Sequence, residues 1–302
     1  MTAGADRHDD SRELWASLAD WWQATFTGGA DPEYERQIIP LVTGQLGGAR
    51  RVLDLGCGEG QVTRALLERA GVAVVAGLDP SAAQLGHASA AEAARAGGGA
   101  PASPPQYLRG CGEAMPFADA SFDGVVCCLA IEHTADPDAV LAEVARVLEP
   151  GGRFLLLVNH PMFQGTGSGF IDDRILGERY WRVGPYLVED VTWEHVDSGI
   201  ELPFAHRPLS RYLNPLADAG VLLVHMDEPA PHPEFLASSL DPELEAAIPR
   251  LLSLCFERRG RRGRGGDEAC RGAGRDGADA AVAEDGAPDT GQLDTIPRAG
   301  VP

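Results

Sequence analysis

The sequence predicts an α/β fold built on a doubly wound, mostly parallel sheet with helices on both faces. Two observations lead to this prediction. Short apolar runs typical of buried strands recur between residues 51 and 256, and segments with apolar residues at helical spacing alternate with them. Right-handed crossovers then place a ligand crevice at the carboxyl ends of the central strands.

The predicted elements follow one another along this part of the chain. Buried strands are predicted at residues 51–56, 72–79, 106–110, 122–130 and 153–159, with a further strand at Val221–Asp227 and a last apolar stretch at Ala246–Phe256. Helices are predicted at Gln61–Ala70, from Ser81 onward, at Asp136–Leu148 and at Ser210–Ala219. Gln84 stands three residues after Ser81, as in a capping box, and Pro150-Gly151-Gly152 stops the third helix.

Composition divides the chain into three parts. Residues 1–47 precede the first strand and are rich in aromatic residues, which predicts an N-terminal helical cap. Residues 48–256 form the ligand-binding domain, with an aromatic-rich insertion at 160–206 interpreted as a substrate lid or as simple packing on the sheet. Residues 257–302 are mostly Gly, Ala, Arg and Asp, which predicts a disordered tail because such a segment buries too little apolar surface. The arginines that begin at Arg258 are compatible with an anionic partner, and the favoured interpretation is that they belong to a solvated tail.

The charge balance excludes several classes of partner. The 302 residues include 25 basic and 45 acidic side chains, for a formal net charge of −20. A surface this acidic repels phosphate backbones and anionic lipid, so we expect neither nucleic acid nor a membrane as partner, and a small molecule as substrate. No apolar run is long enough to cross a bilayer, and the N-terminus does not resemble a secretory signal. Six scattered cysteines without a CxxC pair argue against a metal site and favour reduced thiols in the cytoplasm. The sequence leaves the oligomeric state open.

The most specific signal is the glycine-rich turn that follows the first strand, which reads Asp54-Leu55-Gly56-Cys57-Gly58-Glu59-Gly60. Glycines at alternate positions between a strand and a helix allow a tight turn and let a ligand lie against bare main chain. Asp79 follows at the end of the second strand, where a carboxylate accepts both hydroxyls of a ribose. This arrangement predicts an adenosine-containing ligand.

The residues of the turn favour one adenosine ligand over another. A dinucleotide fingerprint requires GxGxxG, whereas the third glycine position is occupied here by Gln61. Glu59 lies within the turn, where its charge would oppose a pyrophosphate, and Asp54 adds a second negative group. Carboxylates suit a ligand that carries an amino or sulfonium cation, so S-adenosylmethionine is favoured over NAD. An NAD-dependent oxidoreductase remains as a weaker alternative.

A set of motifs extends this signal across the domain. VLDLGCGEG, GLD, GEAMPFADASFDGVV, AIEH and EVARVLEPGGRFLLLV occur in this order. In this order and spacing they resemble the class I S-adenosylmethionine-dependent methyltransferases, and most closely the small-molecule branch that includes ubiquinone and menaquinone biosynthesis enzymes. The resemblance is strong over about residues 48–160 and weak over 207–256. It implies a Rossmann-like sheet of seven strands with an antiparallel last strand.

The resemblance also implies roles for individual residues. Asp54 would approach the amino group of the cofactor, Asp79 would bind the ribose, and the glycines would line the methionine moiety. The family usually has an aspartate for the adenine amino group where this chain has Cys111, so the resemblance does not imply that contact here. The implied cofactor-binding residues are Asp54, Gly56, Gly58, Gly60, Asp79, Cys111, Gly112, Glu113 and Ala130.

Two histidines are candidates for chemistry at the crevice. Methyl transfer from a sulfonium requires alignment of nucleophile, methyl carbon and sulfur, and a neutral nucleophile also loses a proton. His133 follows the fourth strand and His160 ends the fifth, so either is a candidate base. The competing interpretation of His133 is structural, as a residue that orders the loop.

The predicted function is therefore methyl transfer from S-adenosylmethionine to the O, N or C atom of a small-molecule acceptor. The alternative is a protein of the same fold that binds S-adenosylmethionine without catalysing transfer, an interpretation kept open by Cys111.

Overall fold

The computed structural model describes residues 13–28, 30–95, 104–197, 199–237 and 239–260, apart from the side chains of residues 194, 196 and 197. Within these residues the helices are α1 (Ala19–Phe26), α2 (Ile39–Gln45), α3 (Gln61–Arg69), α4 (Ala82–Arg95), α5 (Pro137–Val147), α6 (Ser210–Asp218), α7 (Pro233–Leu236) and α8 (Pro242–Ala246). The strands are β1 (Arg51–Leu55), β2 (Val74–Asp79), β3 (Gln106–Arg109), β4 (Phe122–Cys128), β5 (Leu148–Asn159), β6 (Gly169–Asp173), β7 (Glu178–Arg182), β8 (Asp190–Asp197), β9 (Ile200–His206), β10 (Val221–Asp227) and β11 (Leu251–Arg258).

One seven-stranded sheet organises the described part of the chain, in the order β10-β11-β5-β4-β1-β2-β3. The neighbours from β5 to β3 pair in parallel, whereas β11 runs antiparallel to both β5 and β10. The strand order reverses between β1 and β4, and the crevice of such a sheet lies at the carboxyl ends of these two strands. The predicted doubly wound sheet and its antiparallel last strand are therefore confirmed.

Both faces of the sheet are covered by apolar layers. Along β5, Phe154 and Leu156 belong to one layer and Leu155 and Leu157 to the other, because successive side chains of a strand point to opposite faces. The first layer includes Tyr212 and Leu216 of α6, several residues of α5, and Ile131 from the short helical turn after β4. The second is closed by α2 and α3. This double burial explains why the strands read as continuous apolar runs rather than as alternating patterns.

The ends of three predicted elements differ in the structure. β2 begins at Val74 rather than at residue 72, and β5 begins at Leu148, so the Pro150–Gly152 bend lies inside the strand. β11 extends to Arg258, which places Glu257 and Arg258 in the sheet and not in a tail. Both residues continue the ladder, since Glu257 pairs with Arg153 and Arg258 with Val221. The Arg258 guanidinium also donates to the carbonyl of Leu148. The prediction that Arg258 belongs to a solvated tail is therefore wrong. The part of the predicted tail at residues 261–302 lies outside the described residues.

The regions before and within the domain take different forms. The described part of the N-terminal region is helical, with a short helical segment at 13–17, α1, a π-helical turn at Tyr34–Ile38 and α2. Residues 1–12 lie outside the described residues. The insertion contains two antiparallel hairpins, β6–β7 and β8–β9. No helix of the described residues has the length and apolarity needed to span a membrane.

Candidate active site

The glycine-rich turn joins β1 to α3, and three glycines in it have positive φ: Gly56 (72°), Gly58 (53°) and Gly60 (83°). A Cβ added to Gly56 would lie 2.4 Å from the Cβ of Ala130, and one added to Gly60 would lie 2.2 Å from the Tyr107 hydroxyl. A Cβ added to Gly58 would meet only the Gln84 side chain, at 3.9 Å. Of the three, Gly58 is therefore the position whose bare main chain faces open space, while Gly56 and Gly60 accommodate protein neighbours.

The Asp54 carboxyl lies almost completely buried directly before this turn, at 1% exposure. Thr63 of α3 donates its hydroxyl to Asp54 Oδ2 at 2.6 Å, which ties the strand to the helix across the turn. Burial raises the pKa of Asp54 to about 7; the Thr63 hydrogen bond lowers it, and nearby Asp79 and Glu59 raise it further. A cation bound beside this carboxyl would relieve the cost of ionising it.

Asp79 closes the other side of the turn from the end of β2. The Gly58 N–H donates to its Oδ2 at 2.9 Å and the Ser81 N–H donates to its Oδ1 at 2.8 Å. Burial raises the pKa of Asp79, and these two backbone hydrogen bonds oppose the shift. Each carboxylate oxygen retains a further lone pair for a ligand hydroxyl. Ser81 in turn caps α4, since the Gln84 N–H donates to its hydroxyl at 3.2 Å.

Glu59 has a more specific environment than its place in the sequence indicates. Its side chain is buried at 2% exposure and forms an ion pair with Arg64, one turn into α3. Its second oxygen, Oε1, is buried without a hydrogen-bond partner among the described residues, as is Oε1 of Gln84. Both residues line the cleft. The site therefore offers two acceptor atoms that lack donors.

The predicted adenine side of the cleft is formed after β3. Cys111, Gly112 and Glu113 line the cleft, and Cys111 forms an isolated antiparallel bridge with Ala114. The five described cysteines are free, and four of them contribute to the cleft lining: Cys57, Cys111, Cys127 and Cys128.

The two candidate histidines have different positions. His133, in a 3-10 turn after β4, lines the cleft, and its Nδ1 lies 3.0 Å from the carbonyl oxygen of Pro203 in β9. Burial lowers the pKa of His133 to about 4. His160 does not contribute to the described lining: its Nε2 lies 2.9 Å from Glu228, and its Nδ1 accepts from the Met162 N–H at 3.1 Å. The structure therefore does not bring the two histidines together at the cleft.

Aromatic residues of the N-terminal region lie over the cleft. Trp15, Trp22 and Tyr34 are part of its lining. In the insertion, by contrast, Phe163 and Trp181 stack on each other at 4.7 Å and are absent from the described lining. Among the described residues that line the cleft, the Trp and Tyr side chains all come from the N-terminal region.

Of the nine predicted cofactor-binding residues, all except Gly60 line the cleft. Sequence reasoning missed Thr63, Gln84 and Leu129. Leu129 also lines the cleft and has a positive φ of 51°, which is uncommon for a residue other than glycine. Thr63 and Gln84 follow the turn and Ser81 at helical spacing, which was a usable signal, whereas nothing local marks Leu129.

The residues present fit S-adenosylmethionine. Four carboxylates (Asp54, Glu59, Asp79 and Glu113) line the cleft, which favours a cationic ligand. The unpartnered oxygens of Glu59 and Gln84 suit the amino and hydroxyl donors of such a ligand. Among the described residues, no cluster of three or more His, Cys, Asp or Glu side chains is arranged to hold a metal ion.

Comparison with known proteins agrees with this geometry. Residues 53–156 match the family described as a methyltransferase domain. A demethylmenaquinone methyltransferase from Thermus thermophilus is 34% identical over 138 residues, which cover 46% of this chain and 59% of that protein. A malonyl-[acyl-carrier protein] O-methyltransferase from Erwinia pyrifoliae is 41% identical over 109 residues, covering 36% and 37%. The chain thus spans less than two thirds of these relatives.

A solved structure extends the similarity beyond the matched family segment. The S-adenosylmethionine-dependent methyltransferase from Mesorhizobium loti superposes with a TM-score of 0.59 at 28% identity, over 72% of this chain and 96% of that one. The fold, the turn and these matches identify a class I S-adenosylmethionine-dependent methyltransferase domain, as the resemblance implies. The residues that line the cleft of this domain fit S-adenosylmethionine as a cofactor.

Proposed function

We propose that this protein transfers a methyl group from S-adenosylmethionine to a small, largely apolar acceptor held beneath the N-terminal aromatic cap. The observation that supports the proposal is that one cleft, with about 1250 Å³ of space including its open mouth, is shared by two sets of residues. Carboxylates of the glycine-turn region line one part, and Trp15, Trp22 and Tyr34 line another. A donor and an acceptor bound in this cleft would be neighbours.

S-adenosylmethionine supplies a methyl group on a cationic sulfur, already activated for displacement. The task left to the protein is to hold and orient both molecules and to exclude water. Asp79 would accept the ribose hydroxyls, and Asp54 with Glu59 would hold the amino group. Gly58 would let the cofactor lie against the main chain. Main-chain groups near Cys111, or Glu113, would take the place of the missing adenine contact.

His133 is better suited to hold a hydrogen-bonding group than to remove a proton. Its pKa of about 4 leaves the ring neutral near pH 7 and makes it a weak base. The hydrogen bond to Pro203 also fixes the turn after β4 against the second hairpin, in line with the structural interpretation. We propose no chemical role for His160, because its ring nitrogens contact Glu228 and Met162 away from the cleft lining.

The chemical class of the acceptor is suggested by the residues that line the cleft and not by the names of the relatives. The names of the two matched relatives refer to a quinone and to a protein-bound malonyl group, so they do not agree on one acceptor. Aromatic and aliphatic residues around the cap favour an apolar acceptor, and four carboxylates in the lining disfavour an anionic one.

Calorimetry and product detection test the proposal. We expect heat on mixing the purified protein with S-adenosylmethionine or S-adenosylhomocysteine, and formation of S-adenosylhomocysteine with members of a panel of quinols, phenols and aromatic amines. Cys111→Asp restores the family residue and is expected to tighten S-adenosylmethionine binding several-fold, whereas Cys111→Ser serves as the matched control. Absence of heat with either compound would refute the proposal. Binding without turnover across the panel would favour the alternative of a binding protein without activity.

A further inference from the structure

Trp15 has an indole N–H that is buried and has no hydrogen-bond acceptor among the described residues. The residue lies in the helical segment before α1 and lines the cleft. A buried donor without a partner destabilises a protein unless a ligand or water satisfies it. The position of this donor at the cleft therefore points to an acceptor atom on a bound molecule.

His133 presents a complementary atom next to this donor. The ring centroids of Trp15 and His133 are 4.8 Å apart, with the rings inclined at 66°. The ring of Phe204 also packs against His133, at a centroid distance of 5.2 Å. Because a carbonyl oxygen only accepts, the contact between Nδ1 and Pro203 places the proton of the neutral ring on Nδ1. Nε2 of the neutral ring then carries a lone pair that can accept a hydrogen bond. Burial also disfavours the charged ring.

A donor and an acceptor side by side select for the chemistry of the group they bind. A carboxylate or ether accepts from Trp15 but has no hydrogen to donate to His133, and an ammonium group donates to His133 but has no lone pair for Trp15. A neutral hydroxyl does both. The surrounding side chains of Trp22 and Tyr34 are flat and mainly apolar, which suits an aromatic or conjugated body.

We propose that Trp15 and His133 bind a neutral hydroxyl group on a flat, apolar methyl acceptor, with the indole N–H donating to the hydroxyl oxygen and His133 Nε2 accepting its hydrogen. This inference rests on the proposed function and makes Trp15 a residue that determines acceptor specificity.

The test uses two probes of the same shape, 2-naphthol and 2-methylnaphthalene, titrated by NMR in the presence of saturating S-adenosylhomocysteine. We expect the wild-type protein to bind 2-naphthol about tenfold to thirtyfold more tightly, the value of two ordinary neutral hydrogen bonds. Trp15→Phe is expected to remove most of this preference. Trp22→Phe is the matched control, because it makes the same change in the same cleft while leaving the unpartnered N–H in place, so it should weaken both probes similarly.

A second readout does not require a variant that folds. In the wild-type protein, the indole N–H resonance of Trp15 should move downfield when 2-naphthol is added. It should stay in place when 2-methylnaphthalene is added. Equal affinity for the two probes in the wild type, no binding of either, or an unchanged preference in Trp15→Phe would each overturn the inference. Calorimetry with S-adenosylhomocysteine on the same samples distinguishes failure of this inference from failure of the proposed function. If S-adenosylhomocysteine binds with heat but any of these three results is obtained, the cofactor site is intact and only the inference about Trp15 and His133 fails.

Discussion

Replacing Asp54 with asparagine tests the electrostatics of the donor site directly. Folding raises the pKa of this buried carboxyl from 3.8 to about 7, which means that the native state favours the protonated form. The contribution of Asp54 to stability is therefore fully present below about pH 4 and is lost as the pH rises towards 7. Asparagine does not titrate, so the variant lacks this loss.

The magnitude follows from the shift. Where the folded state binds one proton more than the unfolded state, the free energy of unfolding falls by about 1.36 kcal/mol per pH unit. With a folded-state pKa of about 7 for Asp54, the protein therefore loses about 2 kcal/mol of stability between pH 5.5 and 8.5. In the absence of cofactor, we expect the free energy of unfolding of Asp54→Asn to gain about this amount relative to wild type over that range. Urea unfolding followed by tryptophan fluorescence at several pH values measures it. Asp172→Asn is the control, because that carboxylate is mostly exposed, and its curve should run parallel to wild type.

Cofactor binding provides the complementary measurement. A cation beside Asp54 favours the carboxylate, so S-adenosylmethionine should bind more tightly to wild type as the pH rises from 6 to 8, with release of a proton on binding. Asp54→Asn should bind more weakly and lose this pH dependence. Parallel unfolding curves for wild type and Asp54→Asn, together with a pH-independent affinity in wild type, would refute the reasoning.

Further predictions concern the turn and one helix. Gly56→Ala should destabilise the fold by about 2 to 4 kcal/mol in urea unfolding, because the strain of a positive φ adds to the clash of the new Cβ, 2.4 Å from the Cβ of Ala130. Gly58→Ala, which has the strain without a clash, should cost about 1 to 2 kcal/mol. Calorimetry should show a larger loss of cofactor affinity for Gly58→Ala than for Gly56→Ala. The reverse order of stabilities would contradict these assignments. Asp136→Ala removes the side-chain acceptor for the Ala139 N–H at 3.0 Å and should cost about 1 kcal/mol, seen as a lower melting temperature with unchanged cofactor affinity.

The central sheet could be predicted from sequence because its signals are local. The run at 51–56 and the helix at Asp136–Leu148 each carry their own apolar pattern and their own ends, and the structure agrees with them to within a residue or two. The hairpins of the insertion were not predicted, because their strands lie largely half buried or exposed and do not carry the continuous apolar runs of the central sheet. Glu257 and Arg258 were assigned to the tail by composition, although pairing with distant strands keeps them in β11.

The candidate site divides in the same way. The glycine turn with Asp54 and Asp79 was predictable because strand ends and a turn fix where these residues meet. The environment of Glu59 could not be predicted, because the turn motif does not specify which side chain of α3 pairs with it. In the structure that side chain is Arg64. The position of His160 also escaped prediction: being at the end of a strand places the residue at the crevice edge, but the ring turns towards Glu228, which is 68 residues away in sequence.

The geometry of the turn depends on three neighbouring strands as well as on its own glycines. The space left at Gly56 is occupied by Ala130 after β4, the space at Gly60 by Tyr107 of β3, and the N–H of the middle glycine is held by Asp79 of β2. A larger side chain at position 130 or 107 would therefore press on the main chain that faces the ligand, although Tyr107 does not line the cleft. Cofactor affinity in this fold should thus respond to packing on both sides of β1, so substitutions there need a measurement of stability before a loss of binding is assigned to a lost contact.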